Sequence, residues 1–299
     1  IVNKGLAKYR NQVQYRSNNY REEHLRLANR FRDHFHYSRN SSIDLFLSRS
    51  PDYSDIGRKV IILSLLHKEM ESKKIFNDST KAIENDWLRK LINNMLDGLS
   101  GPKDYTYFHE NKVSFVTFNY DRSLELYLYL ALKHTFNEAR EEEIKEQLSM
   151  IPVYHVYGKI APLPWENDGL SIEYGYDNNI QDMDNISENI RIIRYLKRGH
   201  VPTLDEMLID IEDIQDIREK IKSCHRIYFL GFGFAPENML ILNIPEIINK
   251  KQKVYGTTFK LIKEEQGNIA EKFNVPHLTS WKPTLEDTDC LTLLRKYFN

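Results

Sequence analysis

Val113-Ser114-Phe115-Val116-Thr117-Phe118-Asn119-Tyr120-Asp121 is the stretch that decides the fold class. Its first six residues form a short β-branched and aromatic run, which reads as a strand. Asn119-Tyr120-Asp121 follows at once, and a helix is expected from Arg122 to about Thr135. Three further runs have the strand texture: Val153 to Tyr157, Arg226 to Leu230 ending in Gly231-Phe232-Gly233, and Lys253 to Thr257 followed by a helix over Lys260 to Lys272. Short apolar strands alternating with helices imply an α/β fold, a parallel sheet covered by helices on both faces.

Upstream the texture is helical. Leu6, Tyr9, Val13, Tyr20, Leu27 and Phe31 recur at roughly helical spacing, interrupted at Arg16-Ser17. Ser41-Ser42-Ile43-Asp44 reads as a helix start with capping hydroxyls. Pro51 breaks that run, Asp55 to Lys74 is a long and mostly apolar helix, and Trp87 to Leu99 is another, ended by Ser100-Gly101-Pro102. The acidic stretch Asp205 to Asp216 alternates with Leu and Ile and reads as a solvated helix. The expected organisation is a mainly helical region over 1–110 packed on an α/β core over 111–299, together one integrated domain.

Composition narrows the classes. In 299 residues, 41% are apolar and 28% charged, the profile of a globular chain able to bury a full core. The longest apolar stretch, Val60 to Leu66, falls well short of a membrane span, and the opening Ile1-Val2-Asn3-Lys4-Gly5 lacks the apolar run of a secretory signal. Lys plus Arg is 42 against 43 for Asp plus Glu, so no global basic field recruits nucleic acid. Cys224 and Cys290 stand alone, which excludes a disulfide framework or a paired-cysteine zinc module and implies a reducing, cytoplasmic setting.

Ligands of open parallel sheets sit beyond the carboxyl ends of the strands, and three of the strands carry unusual residues there. The first ends in Thr117, Asn119 and Asp121, where Asn and Asp are also common helix caps. The second runs Val153-Tyr154-His155-Val156-Tyr157-Gly158-Lys159, and period-two alternation puts His155, Tyr157 and Lys159 on one face. The third ends Gly231-Phe232-Gly233-Phe234-Ala235-Pro236-Glu237-Asn238, where two glycines permit a ligand to approach the backbone or simply permit a tight turn.

Taken in order, TFNYDRSLE (117–125), HVYGKI (155–160) and IYFLGFGFAPENM (227–239) resemble the sirtuin-like domain of bacterial antiphage defence proteins. The likeness spans roughly residues 40 to 299. It implies a Rossmann-like core in which Asn119 sits beside the nicotinamide ribose and Asp121 fixes the amide or its loop. It further implies that Thr117, Tyr157, Gly158, Gly231, Gly233 and Asn238 line the dinucleotide. The family's base is a His immediately before Gly; here Tyr157 holds that place and His155 lies about 7 Å earlier along an extended strand. His155 is the expected base, since an imidazole suits proton transfer near neutrality. The family's first strand and its Gly-rich phosphate turn have no counterpart in these residues.

Zinc-dependent sirtuins carry four ligating cysteines, so two isolated ones imply the zinc-free branch. That branch hydrolyses NAD+ to nicotinamide and ADP-ribose as a toxic effector. The alternative is a weak or vestigial subunit that assembles with itself and with a HerA-like hexameric ATPase. For such assembly the pairs Tyr9-Arg10, Tyr15-Arg16 and Tyr20-Arg21 are candidates. Direct nucleic-acid binding is the least favoured reading.

Overall fold

The computed structural model describes residues 2–14, 18–40, 42–76, 86–166, 170–176, 183–192 and 213–298. The chain divides into two compact units. One is Ile1–Ala82, Thr117–Leu126 and His155–Lys197; the other is Ile83–Val116, Tyr127–Tyr154 and Arg198–Asn299. The boundary expected near residue 110 falls inside the second unit, and each unit is assembled from three separated segments.

The first unit is led by helices α1 (Val2–Val13), α2 (Asn18–Ser38), α3 (Ile43–Arg49) and α4 (Ser54–Phe76). Ser42 accepts the Leu45 N–H at 3.1 Å and so starts α3, while Pro51 forces a short 3-10 turn before α4. Ile56, Val60, Ile62, Leu63 and Leu66 bury several sides of α4, so it is the central helix of this core. α1 lays Leu6, Tyr9 and Val13 against it, and α2 contributes Ala28 and Phe31. Of the tyrosine–arginine pairs, Tyr9 turns into the core and meets His24 Nδ1 at 2.5 Å, and Tyr20 stacks on the same imidazole. Tyr15-Arg16 and most of the acidic stretch Asp205 to Asp216 lie outside the described residues.

Next in chain order come α5 (Trp87–Met95), β1 (Phe115–Thr117), α6 (Ser123–Thr135), α7 (Glu141–Ser149), β2 (Val153–His155), α8 (Met183–Glu188) and α9 (Ile214–Ser223). β3 (Arg226–Phe229), α10 (Pro236–Leu242), β4 (Lys253–Thr257), α11 (Lys263–Lys272), β5 (Thr284–Glu286) and α12 (Cys290–Tyr297) complete the chain.

The protein is α/β, and among the described residues its strands form two small sheets rather than one. β1 pairs with β2: Phe115 N–H donates to Pro152 C=O at 2.8 Å and Val156 N–H to Thr117 C=O at 2.9 Å, so the two run in the same direction. In the second unit β3, β4 and β5 are parallel and in sequence order, with Phe229 opposite Gly256 and Tyr255 opposite Thr284. β5 is invisible to sequence reading because three residues, Thr284-Leu285-Glu286, carry no apolar run. Among the described residues, no helix is long and apolar enough to cross a membrane.

One buried ion pair ties the first unit together. Arg122, at the start of α6, is 0% exposed and Glu69 of α4 is 1% exposed. Arg122 Nε and Nη2 donate to the two Glu69 oxygens at 3.1 and 2.7 Å. The remaining guanidinium protons go to the carbonyls of Ala161, Ile172 and Glu173. Glu69 also accepts the Arg122 and Gly175 backbone N–H groups at 3.3 and 3.0 Å. All five guanidinium donors are therefore used, the condition under which a buried charge is tolerated.

Removing one partner should be far worse than removing both. Glu69→Leu is expected to cost about 3–5 kcal/mol, because it strands the guanidinium. Adding Arg122→Met to that variant should recover a large part of the loss in urea unfolding. A single variant no less stable than the double would overturn this account of the pair.

Candidate active site

Where β1 and β2 end, six of the residues singled out from the sequence meet within the first unit. Thr117 Oγ1 accepts the Asn119 N–H at 3.1 Å and bends the chain out of the strand. Asp121 Oδ1 accepts the Ser123 N–H at 3.1 Å, so Asp121 secures the entry to α6. Asn119 is exposed, and among the described residues nothing hydrogen-bonds its side chain. Tyr120 between them is pinned by its hydroxyl, which donates to Arg191 C=O at 2.8 Å and lies 3.2 Å from Asp44 Oδ1.

The expectation that His155 and Tyr157 share a strand face fails, because the strand stops at His155. Gly158 N–H closes a turn onto His155 C=O at 3.0 Å, and Gly158 has φ +83°. A Cβ there would lie 1.8 Å from the Asn189 carbonyl oxygen, so glycine is demanded both by conformation and by a close backbone. Tyr157 is buried and packs edge-on against Phe118 at 5.4 Å, while its carbonyl accepts the Arg191 N–H at 2.9 Å. Gly158 thus has a structural duty that explains its identity, and Tyr157 packs in the core beside it.

His155 belongs to a pair the sequence reading did not find. Its side chain is 5% exposed and that of Glu125, on the first turn of α6, is 8% exposed. Nε2 lies 2.7 Å from Glu125 Oε1, and Nδ1 lies 2.8 Å from the Asn119 carbonyl oxygen. A carbonyl can only accept, so Nδ1 carries a proton and the ring faces acceptors on both sides. In this geometry His155 has no free lone pair for a substrate proton; it must first give up a proton to act as a base.

Burial would raise the Glu125 carboxyl, but the His155 hydrogen bond and charge, with Lys159 nearby, outweigh it and hold it below the ordinary carboxylate value. Lys159 Nζ stands 3.6 Å from Glu125 Oε1 and 2.5 Å from Glu166 Oε1. Glu125 Oε2 is buried without a hydrogen-bond partner among the described residues. Glu125 was legible only as the last letter of TFNYDRSLE. An acidic residue in a first helical turn is ordinarily explained by the helix dipole, which masks any other role.

Gly231, Gly233 and Asn238 belong to the second unit. Gly231 and Gly233 follow β3 with φ +61° and +70°, are exposed, and have nothing within 4 Å of a would-be Cβ. Gly231 N–H donates to Thr257 Oγ1 at 2.9 Å, and Phe234 beyond the turn is buried against Phe229 and Phe273. Asn238 lies in the short helix α10.

No protein-family model, curated protein or solved structure matches the chain. Function must therefore be argued from the residues themselves. Among the described residues, no group of three or more His, Cys, Asp or Glu side chains is placed to hold a metal ion.

Because the Glu125 carboxyl is depressed in the folded state, its contribution to stability is complete above the ordinary value of 4.5 and is lost as pH falls through the folded one. At pH 7 Glu125→Gln should therefore cost on the order of 1 kcal/mol in denaturant unfolding. The gap between wild type and variant should shrink by pH 3. A gap that is the same at both pH values would mean that the charge contributes nothing.

Proposed function

We propose that this chain is an NAD+ glycohydrolase with a Rossmann-like, sirtuin-type arrangement, cleaving NAD+ to nicotinamide and ADP-ribose as an antiphage effector. The observation that carries the reading is the junction of β1 and β2. Two parallel strands end side by side, and the first presents an exposed Asn119 whose carbonyl is held by His155 of the second. The resemblance of TFNYDRSLE, HVYGKI and the glycine turn to the sirtuin-like defence domain supplies the substrate.

Nicotinamide departs neutral, so bond cleavage asks mainly for positioning and for stabilisation of an oxocarbenium-like ribose. Asn119 is suited to orient the ribose or the attacking water through its unengaged amide. Asp121 holds the loop that carries it. The water's proton passes to His155 once Nε2 has handed its own proton to Glu125, or otherwise to solvent.

A second reading has its own observation. Both His155 nitrogens are already engaged inside the protein. That favours a weak or vestigial subunit whose role is assembly with copies of itself and a HerA-like ATPase in the cytoplasm.

The full-length protein incubated with NAD+ should release nicotinamide, and Asn119→Ala should abolish that release. Because Asp121 rather than Asn119 secures the helix entry, the substitution should change stability by no more than about 0.5 kcal/mol. Absence of turnover together with absence of NAD+ or ADP-ribose binding by calorimetry would sink the enzymatic reading and leave the assembly one.

A further inference from the structure

Residues 117–126, 155–160 and 183–192 meet at the Asn119 turn, and among them three side chains are Lys or Arg. Two of the three are already committed. Arg122 spends all five guanidinium donors on Glu69 and on backbone carbonyls. Lys159 stands between two carboxylates, 2.5 Å from Glu166 Oε1 and 3.6 Å from Glu125 Oε1. Arg191 differs from both. Its segment is fixed through backbone and amide groups: Asn189 Nδ2 donates to Ile160 C=O at 3.3 Å, and Arg191 N–H to Tyr157 C=O at 2.9 Å. Arg191 C=O in turn accepts the Tyr120 hydroxyl at 2.8 Å, next to Asn119 in the chain. Arg191 is half-buried, yet among the described residues nothing hydrogen-bonds or pairs with its guanidinium. A held backbone under an uncommitted charge is the reverse of Arg122, whose charge the fold consumes.

We propose that Arg191 binds a phosphoanion at this site and, in NAD+ cleavage, holds the diphosphate of the substrate. The identity of the ligand rests on the glycohydrolase reading; the anion site itself does not. Charge is the reason. Asp44, Asp121 and Glu125 place carboxylates around the turn. They suit the cationic nicotinamide ring of the substrate and oppose its doubly negative diphosphate unless a cation faces it. In these segments, among the described residues, Arg191 is the cation left for that task. A guanidinium stays charged at every working pH, and its planar fork meets two phosphate oxygens at once. The bonds that hold the Arg191 backbone do not involve its side chain, so replacing the head leaves them in place.

Calorimetric titration of the full chain with ADP-ribose, and separately with inorganic pyrophosphate, reads the site without reference to turnover. Arg191→Met should weaken ADP-ribose binding by about 10- to 100-fold, the scale of one lost charge-assisted, forked contact. Lys68→Met, which removes a surface lysine paired with Glu71, should leave that affinity as it is. In steady state Arg191→Met should raise KM for NAD+ by a similar factor, with kcat within about threefold of wild type. Arg191→Met binding ADP-ribose as tightly as wild type would overturn the proposal, and so would a wild type that binds neither ligand. If Arg191→Met fails to fold, Arg191→Lys decides: it keeps the charge without the fork, so affinity should fall by about threefold or more. Undiminished affinity in that variant overturns the proposal. ADP-ribose binding that depends on Arg191, without any NAD+ hydrolysis by the wild type, upholds the anion site and removes the enzymatic reading. Pyrophosphate binding that depends on Arg191, without ADP-ribose binding, upholds the anion site and removes the dinucleotide.

Discussion

Arg122 buried against Glu69 is the constraint on which the first unit depends. A guanidinium with no exposed surface is tolerated only if every donor is met, and here the partners come from α4, from residue 161 and from residues 172–173. Those segments are far apart in the chain, so the ion pair fixes their mutual register more tightly than apolar packing would. Arg122 also lies between Asp121 and Ser123, the two residues that open α6. The turn leading from β1 into α6 is thereby anchored at its far end, while Thr117 and the β1–β2 pairing anchor the near end.

Between the anchors, Asn119 is left exposed on a fixed backbone. Its carbonyl is held by His155, and Tyr120 beside it is held by Asp44 and Arg191. The surrounding residues have already spent their hydrogen bonds on the fold. Asp121, Tyr157 and Gly158 each have a structural partner in this turn.

Much of the local structure was legible. Ser42 and Pro51 mark the start of α3 and the break before α4, and α4 itself matches the long apolar run from Asp55 to Lys74 within a few residues. The strand-to-helix handover at residues 115–123 follows from a β-branched run meeting Asn and Asp. The length of β2 was not legible. Alternation suggests five residues, but the chain turns after His155, with Gly158 at a positive φ where the Asn189 carbonyl leaves no room for a side chain. The division into two sheets was equally hidden, since a short strand carries no mark of which neighbour it will pair with.

The sequence by itself determined the elements that rest on near neighbours: helical periodicity, capping side chains, proline breaks and the polar turn after β1. These interactions are completed within a few residues, so their signals lie side by side in the chain. Only the tertiary structure decided that Arg122 faces Glu69, 53 residues away, and that His155 faces Glu125, 30 residues away. Neither pairing has a spacing rule, because each depends on which distant backbone segments are brought together. Burial then gives the pair its meaning. A carboxylate on a first helical turn is an ordinary dipole partner in water, but enclosed with an imidazole and near Lys159 it is held below the ordinary carboxylate value against the cost of burial.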